Sequence, residues 1–322
     1  MSVLFVSLFD KNYLVKGVSM IDSLLNYSDD HGILILSLDE HTFITLNSYF
    51  RGNSRISIKK IDFIDRQILT QISKDRTYRE YCWALSSILS FTALSNQELD
   101  VIYLDADLYF FNSVEKLVKK CSDYNAAITP HRFTETYKHL EINGKFNVQW
   151  VYFKNNNYGR RIALDWMNDC IVSTKYDVAA GIVGDQKYLD LWPSRYENIL
   201  EISDIGVGLA PWNQEGAIVS NLDNSLHVGF EEKLIFYHFH SLNIYFKRFI
   251  LPVSSNYHLS RDVFDQIYVK YATKINEINS EIGTKNRLIL SKGVLSFFLN
   301  FLQVSLVQFT QTSIWRKIKK FN

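Results

Sequence analysis

Asp105 and Asp107 stand one residue apart at the end of the apolar run Val101-Ile102-Tyr103-Leu104, and Leu108-Tyr109-Phe110-Phe111 follows them. A charge buried among such residues is costly unless it is paired or bound to a metal. Side chains alternate faces along an extended chain, so both carboxylates would converge on one spot. Hard oxygen ligands of that kind suit Mg²⁺ or Mn²⁺ holding a phosphate-bearing substrate. The pair also occurs by chance in solvated turns; its place after a short buried strand favours the metal, because ligands of open α/β sheets bind outside the carboxyl ends of strands.

The elements that must position this pair read as an α/β alternation. Val3–Leu8, Ile33–Leu38, Arg55–Ile61, Val101–Leu104, Ala126–Thr129 and Asn147–Phe153 read as strands. Val15–Leu25, His41–Phe50, Tyr78–Leu94, Ser113–Lys120 and Arg160–Ser173 read as helices, Tyr78–Leu94 with few polar residues and therefore buried. With 4 prolines and no repeat or low-complexity tract, no linker marks a domain boundary. No Gly-x-Gly-x-x-Gly follows the first strand and no Walker-type glycine loop occurs, so a nucleotide would not be held as dehydrogenases or P-loop proteins hold it. A metal bridge at the Asp pair would have to do that work.

Bulk properties narrow the classes. The 322 residues suffice for one large domain or two small ones, and 47% hydrophobic with 21% charged residues is ordinary for a globular protein. An aromatic content of 15% suits either stacking surfaces for sugars or bases or an aromatic core. A formal net charge of +1 argues against a nucleic-acid footprint, which wants a basic face. Cys82, Cys121 and Cys170 are too few and too scattered for a disulfide framework or a zinc knuckle, which fits a reducing cytoplasm. The apolar start Val3-Leu4-Phe5-Val6-Ser7-Leu8 has no basic stretch before it and is followed at once by Asp10 and Lys11, so it reads as the first strand rather than a leader.

The first strand, Tyr103-Leu104-Asp105-Ala106-Asp107-Leu108 and several ordered blocks downstream resemble GT-A-fold glycosyltransferases, near the bacterial enzymes of the glycogenin and lipooligosaccharide galactosyltransferase type. The resemblance covers Met1 to Phe249. It implies a Rossmann-like α/β domain with a central mixed, mostly parallel sheet flanked by helices. It also implies Mn²⁺ or Mg²⁺ on the Asp-x-Asp motif, gripping the diphosphate of a sugar nucleotide, most simply a UDP-sugar.

Each block carries an implied role beside a plainer one. Ser7-Leu8-Phe9-Asp10-Lys11-Asn12-Tyr13 would cradle the nucleoside, with Tyr13 stacking near the base or merely packing at a helix start. Arg79, on a largely apolar helix, needs an anionic partner: the donor diphosphate or sugar, or Glu80 or another acid at the edge of the core. Gly144-Lys145-Phe146-Asn147-Val148-Gln149 is similar to a Phe-Asn-x-Gly segment whose Asn faces the sugar; Gln149 stands where glycine is usual, which puts a close backbone approach in doubt. Gly184-Asp185-Gln186-Lys187-Tyr188-Leu189 is similar to an Asp-Gln-x-x-Leu motif that binds the donor sugar, and Asp185 and Gln186 are the implied catalytic pair. Asp185 could act as acceptor-side base or hold a donor hydroxyl; the resemblance leans towards retention of configuration. Pro211-Trp212-Asn213 would either bind a sugar ring or form a structural turn. In Phe236-Tyr237-His238-Phe239-His240-Ser241 the resemblance makes His238 the third metal ligand, with Asp105 and Asp107, while His240 could replace it or touch phosphate. The Gly and Lys-Pro-Trp that follow in the family are absent; Lys247-Arg248 would have to supply the charge. Asp105 is expected nearer the ribose or sharing the metal, Asp107 as the direct ligand, with Ala106 between them. His131 and Arg132, after a short strand, could overhang the cleft.

The expected organisation is therefore a catalytic domain over 1–255 and a C-terminal helical segment over 256–322. No charged residue occurs from Gly293 to Trp315, yet Ser296, Asn300, Gln303 and Thr310 recur at helical spacing, and Arg316-Lys317-Ile318-Lys319-Lys320 closes the stretch. That pattern suits an interfacial helix on the inner face of the cell membrane better than a span, or else a helix docked on the catalytic domain. The expected activity is transfer of a sugar to a saccharide or lipid-linked glycan in bacterial surface polysaccharide synthesis. Two rivals stand beside it: a haloacid-dehalogenase-type phosphatase with Asp105 as nucleophile, and a non-catalytic sugar-binding relative.

Overall fold

The computed structural model describes residues 2–223, 225–229, 231–245, 249–251 and 257–282. The amphipathic stretch from Gly293 and its basic end lie outside the described residues.

Seven strands make the central sheet: β1 (Val3–Phe9), β2 (Gly32–Ser37), β3 (Ile56–Lys60), β4 (Asp100–Leu104), β6 (Ala126–Pro130), β7 (Phe146–Phe153) and the strand Ile199–Glu201. Between β4 and β6 in the chain, the short β5 (Leu108–Phe110) belongs to a separate sheet. The order across the large sheet is 199–201, β6, β7, β4, β1, β2, β3. β7 runs antiparallel to both neighbours and the other pairings are parallel, so the sheet is mixed and mostly parallel as expected.

Every residue of β4 and β7 is buried because both faces of the sheet are covered. Alternation then sorts their side chains into two cores. Phe5, Ile102, Leu104, Trp150 and Tyr152 point to one face, where they meet Val18 and Ile21 of helix α1 (Leu14–Tyr27) and Tyr271 and Ile275 of the helix Val269–Glu281. Val6, Val101, Tyr103, Val151 and Phe153 point to the other, against Leu85 and Ile88 of the helix Tyr78–Ser95 and Trp166 of the helix Asn157–Val172. The helix at 78 opens with a capping box between Thr77 and Glu80, and the helix at 157 with an Asn156 side-chain cap.

The strand and helix bounds differ from the sequence expectations by a few residues at most. The helix expected from Ser113 begins at Glu115, whose amide donates to Ser113 Oγ at 3.3 Å. The helix Arg66–Ile72, capped by Asp65, and the 3₁₀ stretch Glu135–Asn143 are additional to the elements expected from the sequence. Among the described residues no helix is long and apolar enough to cross a membrane.

The topology gathers three strand ends at one edge. β1 and β4 are parallel and finish there, at Phe9 and Leu104; β7 is antiparallel and starts there, at Phe146. Asp10–Tyr13, Asp105–Asp107 and Asn147–Gln149 are therefore neighbours at the carboxyl edge of the parallel strands.

Candidate metal and donor site

The chain turns at Asp105-Ala106-Asp107 between β4 and β5, and each flank is pinned by backbone pairing. The amide of Asp105 donates to the carbonyl of Gln149 at 3.3 Å, continuing the β4–β7 ladder. On the other flank, β5 pairs antiparallel with Phe236–His238, which also pairs with Val207–Leu209. His238 is opposite Leu108, and the amide of Phe239 donates to the carbonyl of Asp107 at 2.9 Å. This small sheet carries His238 to the Asp pair from far along the chain.

His238 Nε2 lies 3.1 Å from Asp107 Oδ1 and 4.0 Å from Asp105 Oδ2. One ligand atom from each of the three residues falls within 4.8 Å of the others, a geometry that could hold a metal ion. Two carboxylates and one imidazole are a hard donor set fit for Mn²⁺ or Mg²⁺. Asp107 and His238 are buried, and Asp105 keeps 29% of its side chain exposed. Burial pushes the Asp105 carboxyl up to about 6, against the pull of His238. Burial alone would raise Asp107 too, but the charge and hydrogen bond of His238 outweigh it and hold Asp107 well below the usual carboxylate range. Burial would lower His238, and Asp107 reverses that and raises it. Asp107 and His238 thus favour one another's charged forms.

Around this centre the other expected residues take varied places. Ser7 and Leu8 are buried at the end of β1, and Ser7 Oγ has no hydrogen-bond partner among the described residues. Asp10 accepts from the Asn12 amide and from the Tyr78 hydroxyl at 3.1 Å, tying the β1 end to the helix at 78. Tyr13 is 43% exposed, and the charge of Asp107 is the first cause pushing its hydroxyl above its ordinary value. Arg79 is exposed, its guanidinium 5.9 Å from the Trp83 ring centroid, and it makes no ion pair with Glu80, whose carboxylate caps Thr77. Ala106 is buried.

Asp185 is buried and accepts from Ser86 Oγ at 2.6 Å, while its carbonyl takes the Trp166 indole N–H. Burial pushes its carboxyl up to about 7, and the nearby Asp105 adds to the rise. Gln186 donates to the Asn143 carbonyl at 2.8 Å and accepts from Asn147 Nδ2 at 3.4 Å; the same Asn147 amide lies 3.0 Å from His131 Nε2. Gln186 is thus joined to Asn147, and through it to His131.

Trp212 and Asn213 are taken up by structure. The Trp212 indole N–H and the Asn213 amide both donate to the His131 carbonyl, and Asn213 Oδ1 accepts from the Ala210 amide. Trp212 is buried, packed edge-on against His238 at 5.2 Å and His240 at 5.4 Å between ring centroids. His240 is exposed. His131 is buried, stacked on Phe133, and Arg132 donates to the carbonyls of Ile202 and Val207, so neither overhangs the cleft freely.

Two residues at the centre escaped the sequence reading. Lys16, on the first turn of α1, is buried with its ammonium 4.7 Å from the Tyr13 ring centroid, and its charge helps to lower Asp107. A lysine in an apolar helix was the available signal. Gln149 is fully buried and places Oε1 3.0 Å from His238 Nδ1; its departure from the glycine of the resembled motif was visible, its partner was not.

No protein-family model matches the chain. It is 26% identical over 241 residues to the uncharacterized protein YfnD of Bacillus subtilis (strain 168), covering 73% of this chain and 76% of that one. Among solved structures, the galactosyltransferase LgtC in complex with donor and acceptor sugar analogs aligns with a TM-score of 0.52 at 13% identity, over 85% of this chain and 96% of that one. Mouse xyloside xylosyltransferase 1 aligns with a TM-score of 0.50 at 12% identity, over 74% and 97%. The chain has the GT-A glycosyltransferase fold, with an Asp-x-Asp and histidine cluster at the carboxyl edge of its sheet.

Proposed function

We propose that the chain is a metal-dependent glycosyltransferase that moves a sugar from a nucleotide-sugar donor, a UDP-sugar, to a saccharide or lipid-linked glycan in bacterial surface polysaccharide synthesis. The observation that carries this reading is the meeting of Asp105, Asp107 and His238 on a fold shared with glycosyltransferases. The bacterial setting draws on the likeness to YfnD; the membrane-surface setting draws only on the basic, amphipathic sequence beyond residue 293.

In the proposed reaction the bond between the anomeric carbon and the diphosphate oxygen breaks. A bond from that carbon to the acceptor hydroxyl oxygen forms, and the hydroxyl proton passes to the departing diphosphate or to solvent water. Asp105, Asp107 and His238 would hold the divalent cation, which when bound neutralises charge on the departing diphosphate. Lys16 adds a fixed positive charge beside it. Tyr13 offers an exposed ring to the base, and Arg79 and His240, both exposed, would reach phosphate. Asp185, Gln186 and Asn147 hold the donor sugar. Asp185 can accept a sugar hydroxyl, and in its protonated form donate to one, because its carboxyl is pushed up to about 7 by burial. Fixing donor and acceptor together supplies much of the remaining rate enhancement.

A panel of nucleotide sugars incubated with the protein, with Mn²⁺ or with EDTA, tests the reading. Chromatographic detection of released nucleoside diphosphate with one donor, in Mn²⁺ only, is the expected result. No release from any donor in either condition would sink it.

A further inference from the structure

We infer that Gln149 is a positioning residue for His238, its side-chain oxygen holding the imidazole so that Nε2 is presented to the metal site. This rests on the metal-dependent reading above and adds the residue that aims the third ligand.

A metal-binding imidazole offers the lone pair of one nitrogen and keeps its hydrogen on the other, and the partner of that hydrogen sets which is which. His238 Nδ1 lies 3.0 Å from Gln149 Oε1. An amide oxygen only accepts, so Nδ1 carries the hydrogen. Nε2 is then the nitrogen left facing Asp107 and Asp105, at 3.1 Å and 4.0 Å.

Gln149 is built to hold this place. It is 0% exposed. Its amide N–H donates to Asn147 Oδ1 at 2.9 Å, and its carbonyl accepts from the amide of Asp105. One residue therefore fixes the first carboxylate through its backbone and the histidine through its side chain. Space for the amide exists because residue 208 is glycine: a Cβ there would stand 2.3 Å from Gln149 Nε2.

Packing alone does not account for a glutamine here. Its Nε2 is buried without a hydrogen-bond partner among the described residues, and a methionine would fill similar space without stranding a donor. A flipped amide would aim an N–H at Nδ1 and drive the imidazole hydrogen to Nε2, where it would block the metal.

The test titrates Mn²⁺ alone into wild-type protein and the Gln149→Met and Gln149→Glu variants, reading free Mn²⁺ by electron paramagnetic resonance and folding by thermal melting. Glutamate can only accept, so it preserves the function; methionine keeps the bulk and removes the acceptor. Gln149→Met is expected to weaken Mn²⁺ binding by ~10–100-fold, and Gln149→Glu to stay within a few-fold of wild type. Equal weakening in both variants, or none in a folded Gln149→Met, overturns the assignment. Nitrogen-15 shifts of His238 in wild-type protein loaded with diamagnetic Mg²⁺ decide the point without any variant: a hydrogen on Nδ1 and none on Nε2 is expected, and the reverse overturns it. Failure of wild-type protein itself to take up Mn²⁺ overturns the underlying metal reading, and is told apart because it appears without any substitution.

Discussion

His238 Nε2 stands 3.1 Å from Asp107 Oδ1, and backbone pairing rather than side-chain reach brings them together. The strand Phe236–His238 lies against β5 with His238 opposite Leu108. The site therefore depends on a small sheet whose strands are distant in the chain, and the two side chains depend on each other for charge.

That mutual dependence predicts the outcome of removing one partner. His238→Ala leaves the buried Asp107 carboxylate without its hydrogen-bonded imidazole partner. The metal-free variant is expected to lose about 3 kcal/mol of stability, measured by urea unfolding, and to bind Mn²⁺ at least ~10-fold more weakly. Asp107→Asn is expected to lose the metal as well.

Asp185 predicts a pH dependence of stability in metal-free protein. Its carboxyl rises from an ordinary 3.8 to about 7, with burial the largest cause. Between those values the folded protein keeps a proton that the unfolded chain has released. The stability this contributes is whole below the ordinary value and is lost as pH rises through about 7. Asp185→Asn, neutral throughout, should flatten that decline in melting temperature; an unchanged pH profile would contradict it.

His131 predicts the opposite slope. Burial lowers its imidazole from 6.5 to about 3, with His238 and His240 contributing. The folded protein binds fewer protons there than the unfolded chain, so the stability is whole above 6.5 and is lost as pH falls towards about 3. His131→Gln should lose less stability on acidification than wild type, read by urea midpoints inside and above that window.

Gly208 predicts a steric coupling. Its φ of +75° is in the left-handed region, and its missing Cβ makes room for the Gln149 amide. Gly208→Ala should cost about 1–3 kcal/mol from crowding, with weaker Mn²⁺ binding. In a Gln149→Ala background the same substitution should cost less, because the nearest clashing atoms, those of the Gln149 amide, are gone; additive losses would contradict the coupling.

Much of the framework was legible because it is local. The unbroken apolar runs of β1, β4 and β7 announce strands buried on both faces, and the acids after Leu104 stand where such a sheet binds ligands. What the sequence left open is non-local. No spacing rule brings Phe236–His238 to β5, so the choice between His238 and His240 rested on resemblance; in the structure His238 is buried 3.1 Å from Asp107, while His240 is exposed. The Pro-Trp-Asn turn read equally as sugar site or scaffold, and its donors are spent on the His131 carbonyl. Arg132 read as a cleft residue, yet the local fold aims it at the carbonyls of Ile202 and Val207. Lys16 and Gln149 could be noticed as unusual, but their partners come from other elements.

The central claim is that the Asp105–Asp107–His238 centre grips a nucleotide sugar through a divalent cation. Calorimetric titration of UDP-sugars into wild-type protein, with and without Mn²⁺, tests it most directly. Binding of one UDP-sugar that requires Mn²⁺ and is lost in Asp107→Asn is the predicted result. Absence of binding in both conditions, or metal-independent cleavage of phosphomonoesters by the same protein, would contradict it.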